Sequence, residues 1–266
     1  MYQETEFLEA IAQSFTKYVM HGARSTEKLL PIHSFLAAIL QKIFGTDYEV
    51  HYNSGKTKFK TISYFTEKRN EQKTKKIPVG ELTVDGKYYP KDIDICITKD
   101  NIPKFCLGIK VITSNYSQNA NNYFENMIGE TANIQRNNIP YAQLIIMRKH
   151  TPYYENSGLL KKIELLDKDD IMKYVKLIFD TPFPHQPKSI AILMIDIEKE
   201  KFINENDKYY FKISTPKYKN LVCPSFKVLK ISDAYLGDDF PFLKQELSVQ
   251  HLIDVINSYK DYLKTI

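Results

Sequence analysis

The chain lacks tryptophan, has only three cysteines and contains no long apolar run. The last two features argue against particular classes of protein. Its cysteines, Cys96, Cys106 and Cys223, are unevenly spaced and form no Cys-x-x-Cys pair, which argues against a disulfide framework or a structural zinc site. No apolar stretch approaches the roughly 18 residues that a membrane span requires, and the N-terminus shows no basic-then-apolar signal. We therefore expect a soluble cytoplasmic protein with no membrane partner.

Basic residues are concentrated in two segments, although the net charge of the 266-residue chain is only +5. Residues 56–76 carry eight basic side chains against two acidic ones, and residues 208–230 carry six lysines and no acid. Such segments favour contacts with phosphate groups, but a lysine run is also common in a solvated loop. The hydrophobic content of 43% is ordinary for a globular protein with a substantial core.

Two apolar segments joined by a short turn carry one charged residue each. Residues 89–97 predict a strand that contains Asp94, and residues 104–112 predict a second strand that contains Lys110. Such neighbours usually pair as a hairpin, which would place the carboxylate and the ammonium side by side. Burial of either charge is costly without a partner or a metal. A buried ion pair is one interpretation, and a site that binds Mg²⁺ and activates water is the other.

This arrangement resembles the PD-(D/E)xK nuclease superfamily, and within it the type II restriction endonucleases. Pro90 and Asp94 match the "PD" element and Lys110 matches the "K", within a resemblance that covers residues 79–147. The resemblance implies an α/β fold with a restriction-endonuclease-like core and Mg²⁺ as cofactor. It also implies that Asp94 and the carbonyl of Ile109 bind the metal, while Lys110 orients the attacking water.

One position departs from the superfamily pattern. The acid that usually precedes the lysine by two residues is replaced here by Gly108, which has no side chain to bind a metal. Three interpretations remain open: the acid comes from the next helix, the glycine is a substitution at a catalytic position, or the protein binds DNA without cleaving it.

The segment after Lys110 is rich in amides and predicts a helix from about residue 120. Its two acids, Glu125 and Glu130, lie about 140° apart around a helix, so at most one reaches Lys110 easily. We favour Glu125 as the missing catalytic and metal-binding acid because it is nearer to the strand in sequence, with Glu130 as the second choice. Asn119 and Asn122 are candidates for reading bases, since asparagine pairs with adenine in the major groove.

The remaining pattern predicts a mixed central β-sheet flanked by helices. Strand, helix and strand segments alternate between residues 104 and 197, after two N-terminal helices. The strand at residues 141–147 should lie beside the Lys110 strand and parallel to it, across the helix. We assign residues 1–200 to this catalytic core. Residues 201–266 form a basic, aromatic-rich and β-rich recognition portion with a C-terminal helix, or continue the same domain.

These features predict a site-specific, Mg²⁺-dependent endonuclease that cuts double-stranded DNA as a homodimer within a restriction-modification system. Alternatives are a DNA-binding protein that has lost cleavage and a structure-specific repair or junction-resolving nuclease. The candidate DNA-binding lysines and arginine belong to the two basic segments: Lys68, Arg69, Lys73, Lys75, Lys76, Lys217 and Lys219.

Overall fold

A computed structural model gives the fold of the chain. It describes residues 3–21, 26–53, 58–66, 71–154, 160–197, 203–205, 208–210, 228–232 and 246–263. The architecture is α/β: a curled, mixed six-stranded sheet has helices packed against both of its faces. The predicted α/β class, with a mixed central sheet flanked by helices, is therefore confirmed.

The main sheet has the strand order β1-β6-β7-β8-β11-β14. Its strands are β1 (Glu49–Tyr52), β6 (Ile95–Lys99), β7 (Ile102–Ile112), β8 (Tyr141–Arg148), β11 (Ile190–Ile197) and β14 (Val228–Ser232). Strands β7, β8 and β11 run parallel, whereas β1, β6 and β14 pair antiparallel with their neighbours. Every residue of β8 is buried, as expected for a central parallel strand that is covered on both faces.

Helices α1 (Glu4–His21), α2 (Leu30–Phe44) and α5 (Val249–Leu263) cover one face of the sheet, and a 3-10 turn at Thr26–Leu29 precedes α2. Helices α3 (Tyr116–Gln135) and α4 (Lys168–Ile178) cover the other face. Helix α4 begins at a capping box in which Asp167 accepts from the backbone N–H groups of Asp169 and Asp170, an arrangement that satisfies unpaired donors at a helix start.

Four two-stranded hairpins complete the described structure. They pair β2 (Lys58–Thr66) with β3 (Glu71–Val79), β4 (Leu82–Asp85) with β5 (Pro90–Ile93), β9 (His150–Tyr154) with β10 (Leu160–Leu165), and β12 (Ile203–Glu205) with β13 (Lys208–Tyr210). The β4–β5 hairpin leads directly into Asp94 and β6.

The predicted pairing of the Asp94 and Lys110 segments is confirmed, because β6 and β7 are antiparallel neighbours. The parallel pairing of β7 with β8 across a helix is confirmed as well. One local prediction was wrong: α3 begins at Tyr116 rather than near residue 120. Packing of the helix against the sheet outweighed the local preference of asparagine for turns.

Parts of residues 201–266 belong to the main core. Strand β14 pairs with β11 at one edge of the sheet, and α5 buries Leu252 and Ile256 in the same cluster as α1 and α2. Within the described ranges, none of the helices is long and apolar enough to span a bilayer.

Candidate functional site

A pocket of about 410 Å³ lies between the sheet and helix α3, at the carboxyl end of β7. Ligands of open α/β sheets usually bind at the carboxyl ends of strands. The charged residues that line the pocket come from five separate segments: Lys28, Glu81, Lys91, Asp92, Asp94, Lys110 and Glu130. Asp94 and Lys110, the two residues that the sequence singled out, therefore open into one pocket.

Asp94 sits at the junction of β5 and β6, where its side chain is held by the neighbouring strand. The backbone N–H of Ile109 donates a hydrogen bond of 2.7 Å to Asp94 Oδ2. Burial raises the pKa of the Asp94 carboxyl to about 7, and the charges of Glu130 and Glu81 act in the same direction. The Ile109 hydrogen bond and Lys91 oppose that rise. A carboxylate that is crowded in this way is stabilised by a cation.

His33 of α2 lies beside Asp94. Its Nε2 lies 3.7 Å from Asp94 Oδ1, which is too long for a hydrogen bond. The ring is buried, and among the described residues neither of its nitrogens has a hydrogen-bond partner. Burial lowers the pKa of His33 to about 4, so the ring is neutral at physiological pH and adds no charge to the pocket.

Lys110 extends over the aromatic ring of Tyr123 on α3, with Nζ 4.8 Å from the ring centroid. Within the described chain it forms no ion pair with Asp94, so the ion-pair interpretation of these two residues is not supported. Lys28, from the 3-10 turn before α2, lines the same pocket. Burial lowers the pKa of Lys28, and the positive charge of Lys110 lowers it further. Two ammonium groups that repel each other in one pocket favour a bound anion.

Glu130 is the helix carboxylate that reaches the pocket. Its Oε1 accepts a 2.6 Å hydrogen bond from the hydroxyl of Tyr141, and its Oε2 lies 3.3 Å from Lys91 Nζ. It is also close enough to Asp94 to raise the pKa of that carboxyl. These contacts fix the carboxylate on the α3 side of the pocket.

Glu125, the acid favoured from the sequence, does not line this pocket, whereas Glu130 does. Glu125 is exposed, and its charge acts on Lys173 of α4 rather than on Asp94. The five-residue spacing puts the two glutamates on different sides of α3, and packing of the helix on the sheet turns Glu130 inward. Sequence distance from β7 was therefore the wrong criterion.

Gly108 is surrounded by side chains that leave no space for a substituent. A Cβ at this position would collide with the hydroxyl of Tyr141 and would lie 2.7 Å from Gln143 Oε1. Tyr141 is fully buried and Gln143 is 5% exposed, so a side chain at position 108 would require the ends of both to shift within a packed region. The origin of the glycine at this position stays open.

The pocket offers only a small set of possible protein ligands for a divalent cation. The described residues contain no group of three or more His, Cys, Asp or Glu side chains arranged to hold a metal. Mg²⁺, however, is commonly held by one or two carboxylates, with water and substrate phosphate completing its coordination. Asp94 and Glu130 are two carboxylates of this pocket that could serve in this way. The backbone of Ile109 also lines the pocket, and a metal contact from its carbonyl remains a prediction.

The other predicted DNA-binding residues lie in different places. Asn119 donates from Nδ2 to the carbonyl of Asn115 at 3.2 Å, so its amide is used within the first turn of α3. Asn122 is exposed on that helix. Three of the predicted lysines are on strand β3: Lys73, Lys75 and Lys76. The other four predicted positions lie outside the described residues: Lys68, Arg69, Lys217 and Lys219.

Sequence reasoning missed Lys28, Lys91 and Gln143, which line the pocket, and Tyr141, which donates to Glu130. Lys91 lies three residues before Asp94, so its proximity was a usable signal. The other three come from distant segments whose local patterns are ordinary for a helix start and a buried strand. Only the pairing of Gly108 with Gln143 across β7 and β8 brings that amide to the site.

Comparisons with known proteins do not extend this description of the pocket. No protein-family model, no curated protein and no solved structure matches the chain. A function is therefore inferred from the side chains that the fold brings together, and from their charges and burial.

Proposed function

We propose that the chain is a Mg²⁺-dependent endonuclease of the type II restriction kind, which hydrolyses phosphodiester bonds in double-stranded DNA. One observation carries this proposal: Asp94 and Glu130 share a pocket with Lys110 and Lys28 at the carboxyl end of β7. Phosphodiester hydrolysis needs fixed negative charge for a metal ion and positive charge for the phosphate. The pocket supplies both.

Asp94 and Glu130 are the residues that would hold the cation, with the carbonyl of Ile109 as a further oxygen ligand. The crowding that raises the pKa of Asp94 supports this assignment, because a bound cation would offset the repulsion between the carboxylates. A bound Mg²⁺ would lower the pKa of the attacking water and stabilise the leaving oxygen.

Lys110 is assigned to the attacking water and the scissile phosphate. Its ammonium can donate hydrogen bonds to both and offset charge that develops on the phosphate oxygens. Lys28 would bind a nonbridging oxygen of the same or the adjacent phosphate. The ring of Tyr123 attracts the Lys110 ammonium and favours the position that it takes at the pocket.

A homodimer is the expected assembly, since cutting both strands of a symmetric DNA site needs two such pockets. The basic segments 56–76 and 208–230 would contact backbone phosphates and supply most of the affinity. In this proposal the protein acts on cytoplasmic DNA as part of a restriction-modification system.

Incubation of the purified protein with plasmid DNA and Mg²⁺ tests the proposal. Discrete fragments with 5′-phosphate ends are the expected result, and they should be lost in Asp94→Asn. Asp92→Asn is the matched control, because Asp92 also lines the pocket but accepts a 2.5 Å hydrogen bond from Thr83. Cleavage that depends on the junction structure of the DNA would instead indicate a repair or junction-resolving nuclease.

A DNA-binding protein without cleavage is the second candidate function. The observation that favours it is the engagement of both Glu130 oxygens, one by Tyr141 and the other by Lys91. An acid that is fully engaged by its neighbours is a weaker metal ligand. Retention of specific binding together with intact plasmid at all Mg²⁺ concentrations would select this candidate.

A further inference from the structure

The turn between β4 and β5 presents two exposed tyrosines beside the pocket. Tyr88 is 70% exposed and Tyr89 is 50% exposed, and Lys87 before them is exposed as well. Large aromatic side chains are usually buried, and adjacent exposed ones often mark a binding surface. We call Lys87, Tyr88 and Tyr89 the tyrosine turn.

The tyrosine turn is fixed to helix α3 by one buried asparagine. Asn133 Oδ1 accepts hydrogen bonds from the backbone N–H of Tyr88 at 2.9 Å and of Tyr89 at 3.4 Å. Asn133 Nδ2 donates to the carbonyl of Tyr89 at 2.9 Å, and the Asn133 carbonyl accepts from the N–H of Lys87 at 2.8 Å. Asn133 is 1% exposed, so these bonds are shielded from water and hold the backbone firmly.

Gly86 shows how closely the turn sits on the helix. A Cβ at Gly86 would collide with the Asn133 amide, whose Oδ1 would be only 2.6 Å away. Asn137 adds a 2.6 Å hydrogen bond to the carbonyl of Asp85. The backbone is thus held rigidly, while the two tyrosine rings remain accessible. A rigid backbone lowers the entropy that an aromatic contact loses on binding.

The same contacts place the tyrosine turn next to the candidate catalytic residues. Asn133 is three residues from Glu130 on α3, which corresponds to roughly 4.5 Å along the helix axis. Tyr89 is two residues from Lys91, so their Cα atoms are at most about 7 Å apart. Lys91 lines the pocket and contacts Glu130. A strand whose phosphate enters the pocket would have its neighbouring nucleotides beside Tyr88 and Tyr89.

We propose that the tyrosine turn is a stacking platform for an unpaired nucleotide next to the phosphate bound in the pocket. The aromatic rings suit the flat faces of bases, and Lys87 and Lys91 supply positive charge for the backbone of the same strand. Stacking on side chains requires a base that has left the duplex. The substrate at this position is therefore a single strand, a strand end or an extruded base. This inference rests on the proposed nucleic-acid function of the pocket.

Binding of a short fluorescent oligothymidylate, measured by anisotropy without metal, tests the platform. Tyr88→Ala and Tyr89→Ala should each raise the Kd for this strand by about 5- to 100-fold, while the corresponding Phe variants keep wild-type affinity. Affinity for a blunt, fully paired duplex should change by less than about twofold. Tyr262→Ala is the matched control, because Tyr262 is 55% exposed on α5.

A second measurement does not depend on truncating the ring. The chain contains no tryptophan, so Tyr88→Trp introduces a single indole fluorophore at the platform. Stacking of a base should quench its emission on addition of oligothymidylate, whereas Tyr262→Trp should show no quenching. The absence of quenching in Tyr88→Trp, or an equal loss of duplex affinity in the Ala variants, overturns the proposal.

Failure of the platform and failure of the nuclease proposal give different results. Mg²⁺-dependent plasmid cleavage with unchanged oligothymidylate affinity in Tyr88→Ala and Tyr89→Ala would overturn the platform alone. Binding of oligothymidylate that depends on both tyrosines, together with no cleavage by the wild-type protein, would overturn the nuclease proposal alone.

Discussion

The hydroxyl of Tyr141 occupies the space that a side chain at Gly108 would need, and the same hydroxyl donates to Glu130. Tyr141 therefore links two features of the site: position 108 on β7 carries no side chain, and Glu130 on α3 supplies a carboxylate. A residue with a side chain at position 108 would displace the Tyr141 hydroxyl, which orients the Glu130 carboxylate.

Gly108→Ala tests this coupling through stability. We expect a loss of about 1–3 kcal/mol in the free energy of unfolding, because the added methyl group overpacks a rigid region. The loss should be smaller in a Tyr141→Phe background, where the clashing hydroxyl is absent. Denaturant unfolding of the two single variants and the double variant measures the interaction.

Gly129→Ala is the control for this series. Gly129 lies on α3, and a Cβ there would have no neighbour within 4 Å. Alanine is a better helix former than glycine, so the substitution should stabilise the protein by up to about 1 kcal/mol. Equal effects at positions 108 and 129 would contradict the packing argument.

Glu130→Gln should reduce the rate of DNA cleavage by on the order of 100-fold or more, because it removes fixed negative charge from the pocket. Glu125→Gln is the matched control on the same helix and should have little effect, since its side chain is exposed and acts on Lys173. Single-turnover cleavage of plasmid under saturating protein compares the two. A larger effect at Glu125 would restore the choice made from the sequence.

Asp94→Asn should abolish cleavage while leaving DNA affinity largely intact. A metal ligand serves the chemistry, whereas phosphate contacts supply most of the affinity. Parallel measurements of cleavage and of binding in the presence of Ca²⁺ separate these effects. Metal-dependent cleavage at the wild-type rate would remove Asp94 from the catalytic site.

The pKa of Asp94 predicts a pH-dependent term in the stability of the metal-free protein. Its folded pKa of about 7 lies above the ordinary value near 4, so the folded state binds more protons between those limits. This contribution is therefore favourable at low pH and is lost as pH rises from about 4 to 7. The Asp94→Asn variant lacks this pH-dependent contribution. Its free energy of unfolding should therefore rise relative to that of wild type as pH increases from about 4 to 7.

The free energy of unfolding must be compared between wild type and Asp94→Asn at each pH, because the contribution of His33 changes with pH in the opposite direction. Its folded pKa of about 4 lies below its ordinary value near 6.5, so its contribution to stability is lost as pH falls through that range. Chemical denaturation in EDTA measures the difference between wild type and Asp94→Asn at each pH. Added Mg²⁺ should reduce this difference between the two proteins. A difference that does not change with pH would contradict the raised pKa of Asp94.

Replacement of Lys73, Lys75 and Lys76 by alanine should weaken binding to all DNA sequences alike. Each lost phosphate contact should reduce the slope of log K against log salt by about 0.9. Lys176→Ala is the control, since Lys176 is exposed in the last turn of α4. An unchanged slope in the triple variant would identify β3 as a solvated strand that does not contact phosphate.

Residue patterns alone determined the local elements and the first two members of the site. Alternating apolar residues around Asp94 and Lys110 predicted neighbouring strands, because strand periodicity and a short turn are local properties. The same reasoning predicted the parallel pairing of β7 with β8, since a helical crossover between them permits little else. These features depend on residues that are near one another in sequence.

Only the tertiary structure decided which other groups complete the pocket. Glu130 rather than Glu125 faces Asp94 because packing fixes the rotation of α3 on the sheet, and a difference of five residues reverses the side of the helix. Lys28 and His33 arrive from the N-terminal helices, and Tyr141 fills the space beside Gly108 through strand pairing. Burial and mutual charge then set the pKa values, and neither is a property of any single segment.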